Sequence, residues 1–402
     1  MNSRPQLILA PAKEKAVLRR HPWIFSGAIK HIEGHPQEGD LVDVVDTHGH
    51  WMATGHYQNE SIICKVLTFD KDESRLPIEE LLRRRILTAV SYRVVLGFFG
   101  DVDTNVFRLV HAEGDYLPGL VCDWYNGVLV MQAHSVGMHR LFPQLVEILK
   151  EALKSHGLQS IFDKSSATVP GGGVQDGFIW GEETAEKEIL ENGIRMTINF
   201  FEGQKTGFFV DQRENRALVQ QLALDRRVLN CFGYTGGFSL AALKGGADYV
   251  ETVDISKKAI ALCNRNVELN FGTDAPHSGV VADVLDYLST IDSGDEAQGF
   301  DFIILDPPAF AKNHRNLQQG LKGYRSINQR AMEKIAPGGL LMTFSCSQAV
   351  SKEDFQTMVF TSAMNAGRRV RIVRQLPHAM DHPVSIHHPE GEYLKGLLLY
   401  VE

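Results

Sequence analysis

From about residue 190 onward, short apolar runs alternate with helix-period stretches, and nothing else in this 402-residue chain constrains its fold as strongly. Val228–Phe232, Tyr249–Asp254, Gly279–Asp283, Asp301–Leu305 and Leu340–Ser345 read as five strands. Phe238–Lys244 and Lys257–Leu269 read as helices between the first three. Strands this apolar, separated by helices, pack as a parallel sheet covered on both faces. Val370–Val373 and Tyr393–Tyr400 are candidates for two more strands. The expected fold class is α/β, built on a mostly parallel sheet.

Ligands of open α/β sheets bind outside the carboxyl ends of the strands. Here those ends carry chemistry. The fourth run stops at Asp306-Pro307-Pro308, and the fifth delivers Cys346 between Ser345 and Ser347. The first runs into Phe232-Gly233-Tyr234-Thr235-Gly236-Gly237-Phe238, a glycine-rich turn that opens a helix and lets backbone approach a ligand. Asp254 closes the second strand, 21 residues after Gly233, where an acid accepts hydrogen bonds from ribose hydroxyls. Dinucleotide and S-adenosylmethionine folds share that logic, so Asp254 alone does not choose between them. The glycines do not form GxGxxG, so a dinucleotide fingerprint is absent. Asp283, closing the third strand, is expected to accept from an adenine amino group.

A free cysteine is usually an inert packing residue. Cys64, Cys122, Cys231 and Cys263 fall inside strand-like or helical runs and read that way. Cys346 sits at a strand end beside a carboxylate-bearing turn, which suits a nucleophile. Cytosine C5 reacts poorly until a thiolate adds to C6 and builds enamine character at C5. Asp306 is the candidate for stabilising charge near N3. Related Asn/Asp-Pro-Pro-aromatic motifs hold an exocyclic amine for methyl transfer. Here Ala309 follows the prolines and the aromatic is displaced to Phe310, which counts against methylation of a purine amino nitrogen.

The length suits two or three domains. Residues 1–72 read as a small β-rich unit, 73–190 as a mixed α+β connecting region, and 191–402 as the catalytic part. A helix from Ile78 to about Leu96, a hairpin around Tyr125-Asn126-Gly127 and a helix from Leu141 to Leu153 are expected in the middle. Five scattered cysteines give no disulfide framework and fit a reducing cytoplasm. The amino terminus has no signal-peptide pattern and no run approaches a membrane span, so a cytoplasmic protein is expected. A net charge of −8 does not favour nucleic acid, but binding needs only a local basic surface. Lys13 to Arg20, Arg83-Arg84-Arg85 and Arg368-Arg369 with Arg371 are the candidates. His378 and His382 have helical ligand spacing, yet Pro377 and Pro383 break any helix and no cysteine lies near, so no metal is expected.

Together these residues resemble the RlmI-like family, class I methyltransferases that make 5-methylcytosine in bacterial large-subunit ribosomal RNA. The matching motifs are Thr206-Gly207-Phe208-Phe209-Val210-Asp211-Gln212-Arg213, Asn230–Gly236, Asp306-Pro307-Pro308-Ala309-Phe310 and Phe344-Ser345-Cys346-Ser347. The resemblance implies S-adenosylmethionine as cofactor and Cys346 as nucleophile, with Gln212 and Arg213 helping to form the pocket. The expected cofactor contacts are Gln212, Arg213, Phe232, Gly233, Tyr234, Thr235, Gly236, Asp254, Asp283, Asp306 and Pro307, and Asp306 also has the catalytic role above. It also implies a PUA domain, a small RNA-binding barrel, over residues 1–72, opened by His21-Pro22-Trp23-Ile24-Phe25-Ser26-Gly27. Residues 389–395 would form a loop over the active site. Large-subunit ribosomal RNA is the expected partner, and a homodimer would be unsurprising. Two alternatives stay open: a purine N-methyltransferase, and a non-catalytic RNA-binding or ribosome-assembly factor. Related enzymes carry a second cysteine after the fourth strand. Pro308 and Ala309 stand there instead, so the base that takes the C5 proton is unidentified.

Overall fold

The computed structural model describes residues 4–291, 299–311 and 313–402. They form two compact units. One comprises Met1–Ile189, Ile198–Val210 and Met380–Gly391, and the other Leu190–Thr197, Asp211–Ala379 and Glu392–Glu402.

The first unit opens with a six-stranded sheet of Gln6–Leu9, Trp23–Phe25, Ile29–Glu33, Leu41–Val45, Trp51–Tyr57 and Ile62–Thr68. Its two edge strands, Trp23–Phe25 and Ile29–Glu33, are joined by one short turn, Ser26–Ala28, so the sheet curls back on itself. Alternate residues such as Leu7, Leu9, Val42 and Val44 point inward and fill the interior. A second, five-stranded sheet follows, packed against helices Ile78–Val95 and Phe142–Leu153. Its central hairpin turns at Asn126 and Gly127, with φ of 47° and 93°, the left-handed pair that a two-residue turn of this hand requires.

Two buried arginine–aspartate pairs organise this unit. Arg93 holds Asp115 through two bonds of 2.6 and 2.9 Å and donates to the Asp381 carbonyl at 2.7 Å. Arg108 grips Asp123 at 2.6 and 3.0 Å, and the Arg108 N–H donates to Asp381 Oδ2 at 2.7 Å. Asp123 also accepts from Thr206 Oγ1 at 2.5 Å. Removing one partner of such a pair strands a buried charge, at a cost of roughly 3–5 kcal/mol. The network therefore fixes the Met380–Gly391 segment and the first half of the Thr206–Arg213 motif within the first unit.

The second unit is built on a seven-stranded sheet. In chain order its strands are β1 (Arg227–Cys231), β2 (Tyr249–Asp254), β3 (His277–Val281), β4 (Phe302–Leu305), β5 (Gly339–Ser345), β6 (Val370–Leu376) and β7 (Lys395–Val401). The spatial order is β3-β2-β1-β4-β5-β7-β6, with β7 antiparallel to both neighbours and the other pairings parallel. Helices α1 (Arg213–Leu222), α2 (Gly237–Lys244), α3 (Lys257–Phe271), α4 (Val284–Thr290), α5 (Leu317–Lys334) and α6 (Lys352–Ala366) accompany it. The central strands β4 and β5 are almost wholly buried, which explains their unbroken apolar runs.

Two strand bounds that bear on the site differ from the sequence reading. The third strand is His277–Val281, so Asp283 lies beyond its end and instead begins α4. That strand is the sheet edge and half-exposed, so its apolar pattern is too weak to mark its bounds. The last strand starts at Lys395 rather than Tyr393.

His56 lies in strand Trp51–Tyr57, 2% exposed, with Gly137 against its ring. Burial, aided by the charges of Lys65 and Arg140, pushes its pKa down to about 4. The unfolded chain then binds more protons than the folded one between that value and the ordinary 6.5. The contribution is therefore intact above about pH 6.5 and lost as pH falls towards 4. Urea unfolding at about pH 7 and pH 5 should show a loss of about 2 kcal/mol from this residue, and His56→Gln should flatten that part of the pH dependence.

Candidate active site

Strand order reverses between β1 and β4, and at such a switch point the loops leaving two neighbouring strands diverge and open a crevice. The register puts Cys231 level with Leu305, and Leu305 level with Thr343. Phe232 and Asp306 thus leave the sheet side by side, and Cys346 follows directly on the end of β5.

The turn after β1 is left-handed at alternate residues: Phe232, Tyr234 and Gly236 have φ of 58°, 46° and 87°. For the two non-glycine residues this costs roughly 1–2 kcal/mol each. Hydrogen bonds hold it in place. Gly233 N–H donates to the Val253 carbonyl at 3.1 Å, Tyr234 N–H to Asp254 Oδ2 at 2.9 Å, and Gly236 N–H to the Gly233 carbonyl at 2.8 Å. A Cβ on Gly233 would collide with Thr252, and one on Gly236 with Cys263. Asn230, Ser239 and Thr252 form a hydrogen-bonded floor, with contacts of 2.8 and 2.6 Å.

Asp254 therefore does two jobs. It braces the turn through Oδ2 and accepts from Ser256 N–H through Oδ1 at 2.8 Å. Asp283 is exposed, and its Oδ1 caps α4 by accepting from Leu285 and Asp286 N–H at 2.8 and 3.2 Å. Its Oδ2 has no partner among the described residues.

Gln212 and Arg213 are both buried where α1 begins. Gln212 Nε2 donates to Asp306 Oδ1 at 3.1 Å, and Gln212 Oε1 accepts from Asn215 Nδ2 at 2.6 Å. Asn215 is anchored in turn on the Pro377 carbonyl at 3.1 Å. Asp211 accepts from Tyr393 OH at 2.6 Å. The sequence marked this segment as part of the pocket but not its bond to Asp306, because the two residues are 94 positions apart.

Cys346 is the one half-exposed cysteine; the other four are buried. Its Sγ lies 3.9 Å from the Pro307 carbonyl, so thiol and Asp-Pro-Pro turn touch. The turn itself is pinned from α5. Tyr324 OH lies 2.8 Å from Ser347 Oγ and 3.5 Å from the Pro308 carbonyl, and it accepts from Phe310 N–H at 3.3 Å. Ser347 Oγ accepts from Ala311 N–H at 3.2 Å. Burial raises the Tyr324 pKa, so it stays a neutral phenol. Phe310, the displaced aromatic of the motif, packs against Tyr324 and Phe232 with centroids at 4.7 and 6.3 Å. Tyr324 carried no signal in sequence, since a tyrosine inside an amphipathic helix reads as core.

The second unit holds all the catalytic and cofactor-binding residues expected from sequence, and contacts link Gln212 to Asp306, Tyr234 to Asp254 and Cys346 to Pro307. The segment 389–395, expected as a loop over the site, is divided: Pro389–Gly391 belongs to the first unit and Glu392 onward to the second. His382 is buried against Asp381 at 2.9 Å within the first unit. Trp23 donates to Glu113 at 2.8 Å and packs on His388, while Phe25 stays exposed.

The glycine cradle, the acid beside it and the buried Thr235 Oγ1 and Asn230 Oδ1, which have no partner among the described residues, fit a nucleoside-bearing cofactor. The family described as S-adenosylmethionine-dependent methyltransferase matches residues 107–383, and a PUA-like domain matches residues 7–69. The chain belongs to the S-adenosylmethionine-dependent methyltransferases, and S-adenosylmethionine is its cofactor. Within that class it resembles proteins named ribosomal RNA large subunit methyltransferase I. It is 40% identical to the one from Tolumonas auensis over 96% of this chain and 97% of the relative. It is 38% identical to one from Klebsiella pneumoniae, over 98% and 97%. In fold it matches a protein from Streptococcus mutans described as a SAM-dependent methyltransferase, with a TM-score of 0.84 at 20% identity over 98% and 99% of the two chains. It also matches the methyltransferase SMU.776 in complex with SAH, with a TM-score of 0.85 at 21% identity over the same shares.

Gly236→Val should abolish S-adenosylmethionine binding measured by calorimetry, because its side chain needs space held by Cys263. Asp254→Asn should weaken binding about tenfold or more, the loss of one charge-assisted hydrogen bond.

Proposed function

We propose that the protein transfers a methyl group to C5 of a cytosine in large-subunit ribosomal RNA, through a bond between Cys346 and C6 of the base. The observation that carries this reading is Cys346 itself, half-exposed at the carboxyl edge of the sheet and touching the Asp-Pro-Pro turn. The names of its full-length relatives support the RNA class.

Bound in the glycine cradle, S-adenosylmethionine supplies an electrophilic methyl group. The residues that would hold it are Phe232 to Gly236, Asp254 at the ribose and Asp283 Oδ2 at the adenine, with Gln212, Arg213, Asp306 and Pro307 closing the pocket. Cys346 adds as a thiolate to C6, and the C5–C6 electron pair moves onto C5. Asp306, oriented by Gln212 and acting as a carboxylic acid, donates a hydrogen bond to N3 and so stabilises the negative charge that develops there. Once C5 is methylated, its proton passes to solvent water, the C5–C6 double bond re-forms, and sulfur departs as thiolate.

The basic clusters differ in what they have left to offer RNA. Arg83 is paired with Glu151 and Glu79, Arg84 with Glu80, and Arg85 with Glu73. Arg368 caps the carbonyls of Met332 and Ile335, and Arg371 pairs with Glu402. Lys13, Lys15, Arg19 and Arg20 are exposed and have no carboxylate partner among the described residues. They lie in the PUA-like part, and a groove of about 610 Å³ is lined by Arg19, Arg20, His21 and His387. This cluster is our candidate phosphate contact.

Cys346→Ala should abolish methyl transfer while leaving S-adenosylmethionine affinity within about twofold. RNA carrying 5-fluorocytosine should leave the wild-type protein covalently attached, since fluorine cannot depart as a proton; full activity of Cys346→Ala would refute the adduct. Joint Arg19→Glu and Arg20→Glu substitution should weaken ribosomal RNA binding at least about tenfold and lower its salt slope by roughly two.

A further inference from the structure

Beside Cys346 lies a buried amine to which the reaction above assigns no role. Lys395 opens β7 opposite Ser345 of β5, and it is only 5% exposed. Its Nζ donates to the Ser347 carbonyl at 2.6 Å and to the Tyr393 carbonyl at 2.7 Å. An ammonium has three donors, and the third has no acceptor among the described residues. Lys395 has no ion pair there either.

An unpaired buried cation is costly unless something negative lies near. The groups around Lys395 are few. On α6 and the strand's approach, Lys352 and Glu392 are tied to each other at 2.5 Å. From α5, Tyr324 contributes a neutral phenol. From the end of β5 comes Cys346. Burial pulls the Lys395 pKa down to about 8, and the foremost opposing influence is the negative charge of Cys346, ahead of that of Glu392. The attraction is mutual, so whatever keeps Lys395 charged also keeps Cys346 ionised.

We propose that Lys395 is a positioning residue for the nucleophile: its ammonium, fixed by two carbonyls one strand away, holds Cys346 as a thiolate before RNA arrives. The thiol proton passes to solvent and the ammonium keeps its own. This inference rests on Cys346 being the nucleophile, as read above. The strand pairing explains the arrangement, because β7 runs against β5 and presents its first residue opposite Ser345, the last residue of β5 and the one before Cys346.

The test is the pH dependence of alkylation by iodoacetamide, mapped to Cys346 by mass spectrometry on the full-length protein. The other four cysteines are buried, so the reaction is selective. Wild type should show an apparent pKa below the ~8.5 of a free thiol. Lys395→Met should raise it by about one unit or more, with S-adenosylmethionine affinity unchanged. A wild-type value at or above that of a free thiol, or the same profile in both proteins, would overturn the proposal. If Lys395→Met does not fold, the wild-type profile decides alone. Activity of Cys346→Ala separates the two readings. A shifted profile with an active Cys346→Ala would keep the ion pair and discard the adduct, whereas an unshifted profile with an inactive Cys346→Ala would do the reverse.

Discussion

Backbone hydrogen bonding between β1 and β4, with Cys231 level with Leu305, places the glycine turn and the Asp-Pro-Pro turn side by side. Everything chemical in the second unit follows from that pairing. A slip of one residue would turn every side chain of a strand to the opposite face and move each strand-end group along the sheet. The buried faces of β4 and β5 forbid such a slip, since Ile303, Leu305 and Leu341 belong to one core. Packing therefore fixes the positions of Phe232, Asp306 and Cys346 within the second unit.

The same economy appears in the polar contacts. Asp254 braces the strained turn after β1 and still presents a carboxylate at the crevice. Tyr324 reaches from α5 to hold both the loop after β4 and the serine that follows Cys346. Gln212 ties the start of α1 to Asp306. Groups held by several bonds lose little freedom when a substrate binds, which is how a rigid sheet edge lends orientation to catalysis.

Strands were legible in sequence where they are buried and obscure where they are not. The apolar runs before Asp306 and Cys346 announced their strands, because a strand covered on both faces has few polar residues to break it. The exposed edge strand His277–Val281 was misplaced for the opposite reason, and Asp283 proved to be a helix cap as well as a candidate ligand. Long-range partners were invisible. Lys395 stands 48 residues from the Ser347 carbonyl it binds, and Arg83 is neutralised by Glu151, 68 residues away. The left-handed backbone at Phe232 and Tyr234 had no marker either, since neither residue type favours it. The family resemblance offered candidate site residues, but the contacts that hold each one come only with the fold.

The most direct test of the account is nucleoside mass spectrometry of large-subunit ribosomal RNA from cells lacking this gene, after incubation with the purified protein and isotopically labelled S-adenosylmethionine. The account predicts label in 5-methylcytidine, in wild type but not in Cys346→Ala. Label in a methylated purine would keep the fold and the cofactor but contradict the thiolate mechanism, and absence of label from both naked RNA and intact subunits would contradict the proposed substrate.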